Sequence, residues 1–361
     1  MDTVGRVAAI GGGALLALWV LGSAIRTVVL PRGDPVALTR ALFLAMRKLF
    51  DLRVRGSHDY EERDRRMALY APVSLVLLPG VWVALTVLSF TAVFWGMGVD
   101  PLSRAFELAG SSMLTLGFVA ADSVPQYVVA FAAATLGLGL VALLISYLPS
   151  IYASFQRREL QIARLATRAG EPPSPITMIV RHHLLARLDA LDDVWDEWES
   201  WFADVEETHT SQPSLVFFRS ISHERSWITA AGVVLDTAAF RASTLRLPRE
   251  PRAELCLRAG YLSLRRIAGY FGIPFDDDPN PDDPISVAKD EFLAAYEELA
   301  SQGVPVRPNR EQCWRDFAGW RVNYDVPLIA LAALTMAPYA PWSSDRSMAR
   351  WRPKIVQSRR K

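Results

Sequence analysis

The chain of 361 residues is poor in cysteine and has almost no excess of charge of either sign. Its two cysteines, Cys256 and Cys313, lie in no C-x-x-C or Cys/His spacing, which argues against a disulfide-stabilised fold and against a zinc site. Lys and Arg number 39 against 38 Asp and Glu, a formal net charge of +1. This balance gives no reason to expect a nucleic-acid partner. Hydrophobic residues make up 51% of the chain and charged residues only 21%, so we expect a membrane-embedded part.

Three stretches combine apolar residues with a complete lack of charge. They are residues 7–25, 67–99 and 123–156. Because about 20 apolar residues in a helix cross a hydrocarbon core of about 30 Å, each stretch predicts a transmembrane helix. The first stretch also fits a cleaved signal peptide, since Leu-Gly-Ser-Ala before Ile25 resembles a cleavage site. We interpret it as an anchor, because its N-terminal flank has only Arg6 against Asp2.

Basic residues are distributed unequally between these stretches. The first connection is rich in arginine, whereas the second contains only Arg104. Cytoplasmic loops have the excess of Lys and Arg, so we expect an outside N-terminus and a cytoplasmic C-terminal part in the plasma (inner) membrane. Within the first connection, residues 35–52 have apolar residues at helical spacing opposite basic ones. This pattern is typical of a helix in the lipid headgroup plane or of a connector packed on other helices.

The connection formed by residues 100–125 has the most specific sequence. Asp100 and Pro101 fit a helix N-terminus, and the following LSRAFELAGSSML provides about three turns, too few to span. We therefore expect a re-entrant half-helix, followed by Thr115-Leu116-Gly117-Phe118. Non-helical backbone at membrane depth is tolerated where it is buried in protein or lines a water-filled cavity.

This order of outer span, short helix, Thr-x-Gly-aromatic turn and inner span resembles the pore module of the potassium-channel superfamily, as in bacterial two-span channels. The likeness covers residues 73–155. Thr115, Gly117 and Phe118 match the first, third and fourth filter positions, with Leu116 in the valine position. Asp122 and Pro125 keep the family's aspartate-to-proline spacing but lie two residues later. Val119 stands where the family has its second filter glycine.

The resemblance implies a homotetramer with a central path for K⁺ or for several monovalent cations. It implies roles for eight residues: filter oxygens from Thr115, Leu116, Gly117 and Phe118, cation attraction by Asp122, and inner-helix bending at Gly137, Gly139 and Pro149. Physically, a cation leaving water needs replacement oxygens, which a glycine-containing turn can direct at one axis. The C-terminal end of the half-helix adds partial negative charge. No span has arginines at every third position, so we expect no voltage sensor.

The sequence divides into four parts. They are an anchor and connector (1–66), a pore-like module (67–155), a linker (156–175) that includes Gly170-Glu171-Pro172-Pro173, and a cytoplasmic domain (176–361). The domain shows helical periodicity without alternating strands, so the expected fold class is all-α throughout. Its first helix has an apolar stripe from Leu184 to Val205. The apolar residues 326–342 predict a buried helix and not a further span.

Motifs for catalysis and metal binding are weak in this domain. Asp192, Asp193 and Asp196 fit D-D-x-x-D but are more typical of a solvated helix face. Residues 276–283 are rich in Asp but lack the Gly and Glu of a calcium loop, which indicates an exposed acidic linker. No H-E-x-x-H, G-x-S-x-G, Walker or dinucleotide motif occurs, so we expect no enzyme, cofactor or bound metal. The basic tail from Arg346 predicts attraction to anionic lipid or simple solubility of the terminus.

These patterns favour a cation channel whose cytoplasmic domain regulates the pore and binds a partner that the sequence does not identify. The alternative is a non-conducting, membrane-anchored scaffold or sensor whose helical domain recruits a partner. A membrane-bound hydrolase or transferase has the least support.

Overall fold

The computed structural model describes residues 3–29, 36–54 and 60–346. Within these ranges the chain is helical, and β-structure is confined to an isolated antiparallel bridge between Leu245 and Val306. The all-α expectation is confirmed. The helices are α1 (Thr3–Val28), α2 (Ala37–Val54), α3 (Tyr60–Ala68), α4 (Tyr70–Gly96), α5 (Leu102–Met113), α6 (Val124–Ala169), α7 (Pro175–Leu184), α8 (Leu191–Ser211), α9 (Trp227–Ser243), α10 (Pro251–Tyr270), α11 (Lys289–Ser301), α12 (Arg310–Arg321) and α13 (Asp325–Thr335).

The chain forms two compact units. The first contains described residues of Met1–His58 and Arg65–Ala153, and the second contains those of Asp59–Asp64 and Ser154–Lys361. Helices α1, α4 and α6 are long and apolar enough to cross a membrane, as a multi-pass membrane protein requires. Only 17% of the most apolar 18-residue window of α6 is buried, against 44% for the corresponding window in Tyr60–Gly96, the stretch that includes α4. The apolar surface of α6 is therefore largely available to lipid or to other protein chains.

Helix α1 packs along α4 at very short distance. A Cβ atom on Gly13 would lie 2.6 Å from the carbonyl oxygen of Ser89, and one on Gly96 would lie 2.7 Å from the carbonyl oxygen of Arg6. The Ser89 hydroxyl donates to the carbonyl oxygen of Gly13 at 2.5 Å. Small residues allow such contact, and helix association in lipid depends on close van der Waals packing and interhelical hydrogen bonds. Helix α1 is thus part of the core of the first unit.

Helix α2 contacts the neighbouring helices at both ends of its sequence. The hydroxyls of Thr27 and Thr39 lie 2.9 Å apart, and the Tyr70 hydroxyl donates to the carbonyl oxygen of Phe43 at 3.1 Å. The Tyr70 ring also packs edge-on against Phe43 and Phe50. These contacts favour the packed connector over a helix that touches only lipid headgroups.

The main part of the second unit begins within α6. Residues 156–169, which the sequence assigns to a linker, are the last turns of α6 and contribute Ile162, Leu165 and Ala169 to the core of this unit. The turn that follows at residues 170–174 is the break that the Gly-Pro pattern predicts. Because α6 continues without interruption from Val124 to Ala169, one continuous helix contributes residues to both units.

The predicted first helix of the C-terminal domain is divided in the structure. Between α7 and α8 the chain turns at Ala186, which has a φ of 51°, and Leu184 is 69% exposed. The buried stripe therefore starts at Leu191 and not at Leu184. The segment after Asn309 is likewise split into α12 and α13 by a turn at residues 322–324. Helix α13 is buried in the second unit, which confirms the expected buried helix.

The C-terminal tail is described only as far as Arg346. This residue forms an ion pair with Glu291, with nitrogen–oxygen distances of 2.7 and 3.1 Å. The predicted lipid attraction of the remaining basic residues concerns residues 347–361, which lie outside the described part of the chain.

Candidate functional site

The candidate site lies at the C-terminal end of the short helix α5. The helix begins at Leu102, with Pro101 as its N-cap and no side-chain cap, one residue later than the sequence predicts. Its buried side packs on α4 and consists of Ala105, Leu108, Ala109, Ser111 and Met113. Small residues dominate this side, so α5 lies close to the longer helix.

Helix α5 ends in a Schellman cap. The N–H of Thr115 donates to the carbonyl oxygen of Ser112 at 3.1 Å, and the N–H of Leu116 donates to that of Ser111 at 2.8 Å. Thr115 has a φ of 54°, a left-handed conformation that usually belongs to glycine at this position. A residue with a Cβ pays about 1–2 kcal/mol for this conformation. Gly117 is the second left-handed residue, with a φ of 71°.

Three amide groups of residues 114–119, the 114–119 turn, converge on Ser111. Its carbonyl oxygen accepts from Leu116 at 2.8 Å and from Gly117 at 3.5 Å, and its hydroxyl accepts from the N–H of Val119 at 3.1 Å. In a trans peptide, the N–H and the preceding C=O point in opposite directions. The carbonyl oxygens of three residues therefore point away from the serine: Thr115, Leu116 and Phe118. No donor among the described residues is hydrogen-bonded to them.

The 114–119 turn also displays large apolar side chains. Leu116 is 60% exposed and Phe118 is 64% exposed. Exposed residues continue along α6 with spacings of four, three and then seven: Val124, Val128, Phe131, Leu138, Ile145 and Tyr152. This spacing defines one helix face, the α6 stripe, which is typical of a face that packs against another helix or against lipid.

Asp122 is already paired within its own chain. Nη2 of Arg104, on α5, lies 3.3 Å from Oδ2 and 3.4 Å from Oδ1 of Asp122. The N–H of Asp122 donates to Oε1 of Gln126 at 2.9 Å, which fixes the backbone at the start of α6. The resemblance implies cation attraction by Asp122, and the sequence gives Arg104 no role beyond membrane orientation. The contact between Arg104 and Asp122 could not be predicted from the sequence, because 18 positions separate the two residues.

The three predicted bending positions all lie within the uninterrupted helix α6. Gly137 is buried, and a Cβ atom there would lie 2.0 Å from the carbonyl oxygen of Met113 at the end of α5. Gly139 has open space around it, and Pro149 is exposed. Gly137 therefore has a packing role that its sequence context does not reveal. Bending at these positions stays a prediction.

The acidic motifs of the second unit take part in local contacts. Asp192 and Asp196 pair with Arg252 at 3.5 and 3.3 Å. In residues 276–283, the N–H of Asp278 donates to Asp276, and the N–H of Asp282 donates to Asn280. Among the described residues, no group of three or more His, Cys, Asp or Glu side chains is arranged to bind a metal ion.

The sequence patterns did not reveal a buried ionic network in the second unit. Nη1 of Arg321 donates to both carboxylate oxygens of Asp236 at 2.6 and 2.8 Å, and Nε donates to Asp325 at 2.7 Å. The Tyr324 hydroxyl donates to Asp236 at 2.8 Å. All four side chains are buried. Although burial opposes it, the two carboxylates hold the pKa of Arg321 above its usual range. The signal that could have indicated this network is Asp236, a single charge in the apolar stretch WITAAGVVLDTAAF.

A second buried cation fixes the end of α6 within the second unit. Arg158 donates to the carbonyl oxygens of Leu215 and Phe218 at 2.8 and 2.7 Å, and its Nη1 lies 3.2 Å from Nε2 of His209. Because a guanidinium group can only donate, the imidazole nitrogen must accept, and His209 is neutral. Burial, and then the charge of Arg158, hold the pKa of His209 well below its usual range.

No protein-family model, curated protein or solved structure matches this chain. Its function must therefore be inferred from its own residues. Of the sites described above, the 114–119 turn combines exposed residues, whose carbonyl oxygens accept no hydrogen bond within the described part of the chain, with a place in the sequence between two long apolar helices.

Proposed function

We propose that the protein is a pore-loop cation channel in which four copies place their 114–119 turns around one axis. The observation that carries this proposal is that the carbonyl oxygens of Thr115, Leu116 and Phe118, three exposed residues, point away from Ser111 and accept no hydrogen bond from the described residues. A cation leaves water only if protein oxygens replace its hydration shell. One turn cannot surround an ion, so the proposal requires a symmetric assembly.

In this proposal α5 acts as the pore helix. Its C-terminal end has partial negative charge, which lowers the free energy of a nearby cation. Ser111 accepts three N–H groups of the turn and so fixes the carbonyl directions before an ion arrives. The α6 stripe supplies the apolar surface on which neighbouring subunits pack. The distribution of basic residues supports an outside N-terminus and a cytoplasmic second unit.

The proposed permeant ion is K⁺ or a mixture of monovalent cations. The left-handed residues of the turn are Thr115 and Gly117, whereas Val119 has no positive φ. Val119 therefore does not have the left-handed backbone conformation that strains a β-branched residue, and its position does not require a glycine. The ratio of K⁺ to Na⁺ flux is the measurement that distinguishes a selective pore from a non-selective one.

The second unit would regulate the pore through α6. Arg158, Ile162 and Leu165 on the last turns of this helix are buried in the second unit. A ligand that changes the packing of the second unit would therefore act directly on the helix that also forms the inner span. Allosteric coupling of this kind needs such a shared element, whose equilibrium both sites can bias.

A non-conducting scaffold or sensor is the second candidate. The Schellman cap at Thr115 satisfies the end of α5 whether or not an ion is present, and Arg104 neutralises Asp122. Both features fit a turn that only connects two packed helices. In that case the second unit recruits a partner, and the assembly needs no hydrated centre.

Cation flux from proteoliposomes tests the proposal. Gly117→Val adds a β-branched residue at a φ of 71° but meets no neighbouring atom within 4 Å, so the turn changes while the surrounding packing does not. We expect loss of flux with unchanged oligomer size in detergent. Gly80→Val is the matched control, because Gly80 also has no atom within 4 Å but lies in helix α4.

The outcomes separate the two candidates. Flux that is lost in Gly117→Val and retained in Gly80→Val supports the channel. Equal flux in wild type and Gly117→Val, or no wild-type flux under varied voltage, pH and calcium, contradicts the channel and favours the scaffold.

A further inference from the structure

The Arg104 guanidinium group is bound to the Asp122 carboxylate. Its Nη2 contacts both carboxylate oxygens, at 3.3 and 3.4 Å. The side chains are 45% and 68% exposed, so solvent reaches the pair. Asp122 follows Phe118 by only four residues, and its N–H donates a hydrogen bond to Gln126. The Asp122 carboxylate therefore lies near the proposed filter in the sequence and is bound to the guanidinium group of Arg104.

The charges around this pair are very few. Between Arg66 and Arg157 the sequence has only four charged residues: Asp100, Arg104, Glu107 and Asp122. Arg104 is thus the only basic residue in this part of the chain. Asp100 is paired with Arg6 at 3.3 Å, and Glu107 is exposed. Where charges are so sparse, adding or removing one changes the local potential strongly and changes the local cation concentration with it.

We infer that Arg104 is a conductance-determining residue, a tethered cation that neutralises Asp122 and limits the supply of permeant cations at the outer mouth. This inference rests on the proposed channel function and adds a second requirement to it. In a tetramer the pair occurs once per subunit, so removing Arg104 releases a ring of carboxylates. An exposed pair contributes little to stability, so the substitution changes charge and leaves the fold intact.

The test compares cation flux at low and high ionic strength. The Debye length is about 30 Å at 0.01 M salt and about 3 Å at 1 M, so an effect of charge must be large in the first condition and small in the second. For Arg104→Gln we expect flux to rise about twofold or more at about 0.01 M salt and to stay near wild type at about 1 M. Arg104→Lys keeps the charge and should behave like wild type.

Two further variants isolate the cause. The double variant Arg104→Gln with Asp122→Asn lacks both charges, and we expect its low-salt flux to return to the wild-type level or below. Arg47→Gln is the matched control, because it breaks another Arg–Asp ion pair, with Asp51 at 3.1 Å in α2, and makes the same change in net charge. Its flux should equal that of wild type at both salt concentrations.

The outcomes distinguish a failure of the Arg104 inference from a failure of the proposed channel function. Unchanged or lower flux of Arg104→Gln at low salt overturns the inference, and so does a rise that persists in the double variant, because Asp122 would then not be the cause. These results do not contradict the proposed channel function. A wild-type protein without Gly117-dependent flux refutes the proposed function, and the role of Arg104 falls with it.

Discussion

Gly137 offers the sharpest test of the packing of the first unit. A Cβ atom on Gly137 would lie 2.0 Å from the carbonyl oxygen of Met113 and 3.0 Å from its carbonyl carbon. The first distance is far shorter than any ordinary contact, and the obstacle is backbone, which cannot rotate away as a side chain can. Gly137→Ala therefore requires α6 to separate from the end of α5.

The expected loss of stability follows from this overlap. Overpacking a close-packed contact costs about 1–3 kcal/mol, and a backbone obstacle places Gly137→Ala at the upper end, about 3 kcal/mol. Gly139 lies two residues further along the same helix, and a Cβ atom there would have no neighbouring atom within 4 Å. Gly139→Ala should be neutral or slightly stabilising, because alanine is favoured over glycine in a helix by about 1 kcal/mol.

Thermal unfolding of both variants in the same detergent measures this difference. We expect a clearly lower midpoint for Gly137→Ala than for wild type and no loss for Gly139→Ala. Equal midpoints for the two variants would refute the close approach of α6 to Met113. Unfolding of both at lower temperature would show that α6 tolerates no alanine in this region, and the local contact would then not be the reason.

Two more predictions concern the second unit. The folded-state pKa of His209 lies below its unfolded value near 6.5, so at low pH the unfolded chain binds a proton that the folded chain does not. The contribution of the neutral His209 to stability is therefore fully present above about pH 6.5 and is lost as the pH decreases below it. Tryptophan fluorescence should show the unfolding midpoint decreasing between about pH 7 and pH 5, with a shallower slope in His209→Gln; equal slopes would contradict the buried neutral imidazole beside Arg158. Arg321→Met leaves Asp236 buried without its cation and should cost about 3–5 kcal/mol in denaturant unfolding. Adding Asp236→Asn and Asp325→Asn should recover part of this loss, and a triple variant no more stable than Arg321→Met would show that charge is not the cause.

The sequence predicted the location of the 114–119 turn but not its construction. Thr115 and Gly117 stand out in the sequence because they interrupt an apolar region between two charge-free runs. Their left-handed conformations and the role of Ser111 as the acceptor for three amides became visible only in the folded backbone. A serine inside a short helix has no pattern that announces such a role, since its effect depends on where the chain turns next.

The three candidate membrane helices and the all-α fold class were determined by the sequence itself. A run of about 20 uncharged, apolar residues can lower its free energy as a membrane helix without reference to any other part of the chain, and helical periodicity is equally local. Helix ends were less predictable: the apolar stripe expected from Leu184 starts at Leu191, because the chain turns at Ala186.

Only the tertiary structure decided the contacts that give these elements specific roles. Arg104 with Asp122, Gly137 with Met113, and Arg321 with Asp236 are pairs of residues separated by 18, 24 and 85 positions. Nothing in the local sequence of either partner specifies the other, because such pairs form only when packing brings distant helices together. Local patterns thus determined which segments are helical and apolar, whereas long-range packing decided which charges are paired and which backbones come into close contact.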